Sequence, residues 1–115
     1  MPYLAVATSS EISAEAQAQF LQEASKVVAA GTGKPEQYVM VKLEVGQPML
    51  LAGTNAPTAF LELKSIGFPA GGQSALASAL CGLVTRHFAI PGDRVYIVFQ
   101  DVQAAMWGHD GQTFG

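Results

Sequence analysis

Charge is scarce in this chain: acidic and basic residues together make up 13% of it, about half the share usual for a soluble domain. The six basic residues, Lys26, Lys34, Lys42, Lys64, Arg86 and Arg94, are scattered along a chain of net charge −3. No basic stripe exists to track a phosphate backbone, which excludes nucleic acid as a natural partner. Cysteine occurs once, at Cys81, so no intrachain disulfide can form. Within the apolar helical run Leu80-Cys81-Gly82-Leu83 it reads as buried packing. Histidine occurs only at His87 and His109, with no neighbouring acid at a metal-motif spacing. His87 reads as a partly buried helix-end residue and His109 as an exposed loop residue, and neither a metal nor another cofactor is expected. No apolar run approaches the roughly 20 residues that cross a bilayer. The first residues lack the basic start, apolar middle and small-residue cleavage site of a secretory signal. Neither membrane insertion nor classical export is expected; a cytoplasmic location is, with unconventional secretion left open.

Apolar surface is what the chain has instead. Half of its 115 residues are hydrophobic, a length that suits one domain spanning residues 1–115. So much apolar surface on so small a body predicts that neighbouring subunits cover part of it.

Hydrophobic periodicity divides the chain into six elements. Ala16, Phe20, Ala24, Val27 and Val28 line one face of a helix predicted over Ser13–Ala30. Ser13 caps its start, Glu15 suits the first turn, and Gly31 and Gly33 offer a stop before Pro35. Leu76, Leu80, Leu83, Val84 and His87 or Phe88 form the stripe of a second helix, Gln73–Phe88. Tyr3–Thr8, Tyr38–Val45, Ala59–Ile66 and Arg94–Val102 read as strands; Met49–Leu51 and Ala105–Trp107 are weaker strand signals. The order β-α-β, β-α-β is an internal repeat. At a shift of about 56 residues, Phe20, Ala24, Val27 and Val28 fall on Leu76, Leu80, Leu83 and Val84, and Pro35, Val39, Val41 and Leu43 fall on Pro91, Val95, Ile97 and Phe99. The expected fold is therefore α+β: duplicated β-α-β units forming a four-stranded mixed sheet, with two helices on one face. Two helices leave the other face uncovered, and subunit association is its expected cover.

Pro2 stands directly behind Met1. If Met1 is removed, the chain starts with a secondary amine whose lone pair is free of amide resonance and can accept and return a proton. A proline here also suits the start of a strand, where no ladder donor is needed, and the residue alone leaves both readings open. Lys34, in Thr32-Gly33-Lys34-Pro35 at the turn into the second strand, could hold an anionic group and depress the pKa of a nearby ammonium; as a solvated lysine it would simply suit a helix C-terminus. The run Gly31-Thr32-Gly33-Lys34 lacks the spacing of a phosphate loop and follows a helix where a strand is needed. Ala70-Gly71-Gly72-Gln73 could bind an anion through free N–H groups, with close helix–sheet packing the simpler reason for its glycines.

Taken in order, Met1-Pro2, Thr32-Gly33-Lys34-Pro35-Glu36-Gln37-Tyr38, Ser65-Ile66-Gly67, Leu80-Cys81-Gly82-Leu83, Asp93-Arg94-Val95-Tyr96-Ile97 and Thr113-Phe114 resemble the macrophage migration inhibitory factor and D-dopachrome tautomerase family, within the tautomerase superfamily. The resemblance implies a homotrimer with active sites between subunits and keto–enol tautomerisation of phenylpyruvate-like aromatic α-keto acids. It implies Pro2 as catalytic acid/base, Lys34 and the Ile66 N–H as holders of the substrate acid group, Tyr96 as a pocket aromatic from the adjacent subunit, and Phe114 as a wall. Val98 and the segment Met106-Trp107-Gly108-His109 depart from the family pattern, which places Val98, Met106 and Trp107 among the residues that set substrate preference. Where the inhibitory factor has Cys-x-x-Cys this chain reads Thr58-Ala59-Phe60-Leu61, so dithiol exchange is not expected. The resemblance also implies an alternative, a cytokine-like signalling protein that binds a receptor and whose pocket is vestigial. Hydrolytic dehalogenation fits less well, since Arg86 and Arg94 are the only arginines, and a monomeric ferredoxin-like ligand-binding module is a further reading.

Overall fold

A computed structural model describes residues 1–115. Four strands, β1 (Tyr3–Thr8), β2 (Met40–Glu44), β3 (Ala59–Ser65) and β4 (Val95–Asp101), form one mixed sheet in the order β2-β1-β3-β4. Pairing is parallel within each β-α-β unit and antiparallel where β1 meets β3. The two units thus join back to back, as the internal repeat predicts. Helices α1 (Ala14–Thr32) and α2 (Gly72–Phe88) are the crossovers. No helix is long and apolar enough to cross a membrane.

The helices form where the periodicity places them, and their ends follow local chemistry. The Ser13 hydroxyl accepts from the Ala16 N–H at 3.1 Å, a side-chain N-cap, and α1 stops at Gly33, whose φ of 70° is left-handed. Gly31 has a different role from the expected stop. It lies inside α1, and a Cβ there would overlap the Leu76 side chain, so the glycine lets the two helices approach. Gly71 and Gly72 serve the turn rather than helix–sheet packing: Gly71 has φ 70° and a Cβ on Gly72 would meet Pro69.

Each crossover ends in the same way. A proline, Pro35 or Pro91, opens a single 3₁₀ turn, Glu36–Tyr38 or Gly92–Arg94, and the strand follows. These turns delay β2 and β4 by one or two residues relative to the predicted starts at Tyr38 and Arg94. The weaker strand signals do not form strands in the sheet. Near Met49–Leu51 there is only an isolated bridge, Leu51 to Thr54, and Ala104–Met106 is a 3₁₀ turn. After that turn the chain makes a short hairpin of β5 (Gly108–His109) and β6 (Gln112–Thr113).

The core lies between the helices and one face of the sheet. Leu4, Val6, Leu61 and Leu63 from the central strands meet Phe20, Ala24, Val28, Leu76, Leu80, Leu83 and Val84. Cys81 is half-buried rather than buried, with its Sγ 3.9 Å from the Gly92 carbonyl. His87 stacks edge-on against Phe20 at 5.4 Å and bonds to Glu23 at 3.1 Å, which is the helix-end placement expected of it. The opposite sheet face is open, and strand pairing assembles it into three rows: Met40-Tyr3-Lys64-Gln100, Lys42-Ala5-Glu62-Val98 and Glu44-Ala7-Phe60-Tyr96. It mixes apolar and charged residues. The long loop between β2 and β3 is held from below by Arg94, whose guanidinium donates to the carbonyls of Leu51, Thr54, Ala56 and Pro57 at 2.9–3.3 Å.

Candidate active site

The start of β1 is where a backbone end, a helix end and the C-terminal segment converge. Pro2 is buried, and its carbonyl accepts from the Met40 N–H at 3.0 Å. That bond extends the β1–β2 ladder by one step and fixes Pro2 against the strand that follows Lys34. Beside it lies a cavity of about 840 Å³. Met1, Pro2 and Tyr3 form one side, Tyr38 and Met40 another, and Met106, Trp107, His109 and Phe114 close it from the C-terminal segment. Its lining is mainly apolar, with a few polar groups, as in sites that bind small organic molecules.

The C-terminal wall is built by local bonds. Met106 N–H reaches Gln103 O at 2.8 Å to close its 3₁₀ turn, and Phe114 N–H reaches back to Trp107 O at 3.1 Å. The β5–β6 hairpin then places the His109 ring parallel to Phe114, with centroids 5.9 Å apart. His109 is exposed, as expected, and it also lines the cavity.

Electrostatics at this end disfavour positive charge on the chain terminus. The terminal amine, on Met1, is held below its ordinary pKa first by burial and then by the Lys34 ammonium. Lys34 itself is half-buried and stands behind the lining residues rather than among them. Ile66 lies just past the end of β3, and its N–H has no acceptor in the protomer, while the next N–H, on Gly67, bonds to Asp101 Oδ1 at 2.9 Å.

Pro2, Met106, Trp107 and Phe114 are thus brought together at one cavity, with Lys34 close enough to act through its field. Ile66, Tyr96 and Val98 do not line it. Tyr96 and Val98 project from edge strand β4 on the open face, 59% and 49% exposed, and Tyr96 sits two rows from Tyr3. Within one protomer Tyr96 thus stands apart from the cavity that Pro2 lines. Sequence reading missed Tyr3, Tyr38, Met40, Lys64 and Gln100 as wall residues. Their signal was the period-2 alternation that puts Tyr3, Met40 and Lys64 opposite the core, but only strand register shows that they adjoin.

Two parallel β-α-β units fused antiparallel in one sheet, with a pocket at the first strand's start, define the tautomerase-superfamily fold. A family model described as Macrophage migration inhibitory factor (MIF) matches residues 1–115. Macrophage migration inhibitory factor of Mus musculus is 43% identical over 96 residues, covering 83% of this chain and 84% of the relative. A homolog from Brugia malayi is 38% identical over 116 residues, covering 100% of both. The crystal structure of a homologue from Prochlorococcus marinus superposes with a TM-score of 0.93 at 39% identity, covering 98% of this chain and 99% of that one. This chain belongs to the macrophage migration inhibitory factor family.

Proposed function

We propose that this protein is a tautomerase that interconverts the keto and enol forms of phenylpyruvate-like aromatic α-keto acids, with Pro2 as general acid/base once Met1 is removed. The observation that carries the reading is a buried Pro2 on the wall of an apolar cavity, at a chain end where burial and Lys34 disfavour an ammonium. The Pro2 nitrogen, one residue along, would become the terminal amine in this same buried surrounding once Met1 leaves. A neutral amine is the form that can take a proton.

In the ketone-to-enol direction, the Pro2 nitrogen removes a proton from the carbon beside the carbonyl. The C–H electrons become the C=C bond, the carbonyl π electrons move to oxygen, and oxygen takes its proton from the Pro2 ammonium, which restores the neutral amine. The reverse path returns the proton through the same amine. Lys34 holds the carboxylate together with the free Ile66 N–H, which the β1–β3 register carries to the position opposite Met1 and which meets the cavity once Met1 leaves; both contribute positioning. Met106, Trp107 and Phe114 enclose the ring. Tyr96 and Val98 join the site from a neighbouring copy in a homotrimer; their exposure on an edge strand suits that role.

Phenylpyruvate ketonisation followed by ultraviolet absorbance, with intact mass measured on the same sample, tests the reading. The form lacking Met1 turns over substrate, and a form retaining Met1 is inactive because its Pro2 nitrogen is an amide. Pro2→Gly lowers turnover by about 100-fold or more, the usual scale of a lost acid/base; wild-type turnover in that variant would sink the mechanism. The relatives' name denotes an effect on macrophage migration. Receptor binding by a chain that leaves phenylpyruvate unchanged would move the function to signalling and make the pocket a vestige.

A further inference from the structure

The cavity wall carries one formally charged side chain that the proposed proton transfer does not use. Lys64 is half-buried, and strand register sets it on the open face between Tyr3 of β1 and Gln100 of β4, both of which also line the cavity. The ion pairs of the protomer are Lys42 with Glu44 and Glu23 with Arg86 and His87. Lys64 has no part in them, and neither does Glu62, the carboxylate two residues away on its own strand and face. A cation that loses water to an apolar wall without gaining a carboxylate is uncompensated. An anionic group on a ligand would complete it.

Position matters as much as charge. Adjacent Cα atoms are ~3.8 Å apart and antiparallel partners ~5 Å apart, so the Lys64 Cα lies within about 9 Å of the Pro2 Cα on the same cavity wall. We propose that Lys64, with the Gln100 amide beside it, forms a second anion subsite that selects aromatic α-keto acids carrying an acidic group at the far end of the ring. This rests on the tautomerase reading of the cavity. Lys34 takes the α-carboxylate, the ring lies along Met106, Trp107 and Phe114, and the distal acid meets Lys64.

The test compares 4-carboxyphenylpyruvate with phenylpyruvate in wild-type protein, Lys64→Met and Lys64→Arg. Wild type favours the carboxylated substrate in kcat/KM by about tenfold, the scale of one charge-assisted hydrogen bond, and the preference resides in KM. Lys64→Met abolishes the preference and Lys64→Arg retains it. No preference in wild type, or one that survives Lys64→Met, overturns the subsite. Trp107, the one tryptophan of the chain, lies on the wall and reports binding without turnover. Its fluorescence, with calorimetry alongside, is titrated with 4-carboxyphenylacetate and phenylacetate. A Lys64-dependent preference in binding with neither keto acid turned over would remove the tautomerase reading and keep the subsite; no binding of the dianion removes the subsite. Lys64→Met must also keep the wild-type mass in solution, because a changed mass would assign Lys64 to subunit assembly instead.

Discussion

The two β-α-β halves share one backbone plan and differ in what they do with it. Both helices end in a left-handed cap, Gly33 at φ 70° and Ala89 at φ 56°, followed two residues later by proline, then a 3₁₀ turn and a strand. Their cross-helix contacts correspond as well: Phe20 meets His87, and Leu76 meets Gly31. Yet the position of Lys34 in the first half is Ile90 in the second, fully buried, and the position of Pro2 is Ala59, part of the core. The second half uses these positions to fill the core. The first places a cation and a chain end there, beside a cavity. On the proposed mechanism a duplicated frame does not duplicate a site, because the residue that would carry the proton is replaced by a core alanine in the second half.

The largest expected effect breaks this asymmetry at its source: Pro2→Gly should cost turnover by about 100-fold or more while thermal unfolding changes little. The opposite pattern is expected at the matching end of the second half. Ile90→Ala should lower unfolding free energy by about 2–5 kcal/mol in denaturant melts. Lys34→Met comes next, raising KM for phenylpyruvate by about tenfold. Burial first and the Lys34 charge second lower the pKa of the terminal amine on Met1; with Pro2 as the terminal amine in its place, removing that charge should raise the amine's pKa and move the acidic limb of the pH–rate profile to higher pH. An unmoved limb would detach Lys34 from the amine. Exchanging the caps is subtler. Gly33→Ala should destabilise and Ala89→Gly stabilise, each by about 1 kcal/mol, and equal signs would show that the two caps are not equivalent. The smallest effect concerns the Glu23 bridge between halves. Its carboxylate pKa is lowered, chiefly by the hydrogen bond with His87 and further by Arg86, against a smaller opposing effect of burial. The folded state thus gains stability above the ordinary carboxylate range and loses it as pH falls through the lowered value. Glu23→Gln should flatten that acid limb in pH-dependent melts.

The repeat was legible because both halves keep the apolar spacing of a helix that packs on a sheet. Ser13, Gly33 and the two prolines also announce their turns locally. What was not legible depends on register. That Lys64 adjoins Tyr3 and Gln100 follows from pairing residues about 60 and 36 positions apart, and no local propensity encodes it. His109 was missed as a wall residue because an exposed polar hairpin residue gives no local sign that Phe114 stacks beside it at the cavity. Lys34 and Pro2 were recognisable only in combination, since each has an ordinary role when read singly. The strand signal at Ala105–Trp107 failed because Met106 and Trp107 are apolar to line a cavity and not to enter a sheet.

Arg94 holds the loop between β2 and β3 by main-chain carbonyls alone. A carbonyl is common to every amino acid, so this grip is indifferent to which side chains the loop carries. The contour of residues 51–57 is set partly by its own Leu51–Thr54 turn, with Ala52 and Gly53 at positive φ, and partly from outside the segment, by one guanidinium whose planar fork a lysine cannot reproduce. Outside the Ala52-Gly53 turn, the loop is consequently a place where the surface can be rewritten, by drift or by design, while Arg94 keeps its grip on the main chain.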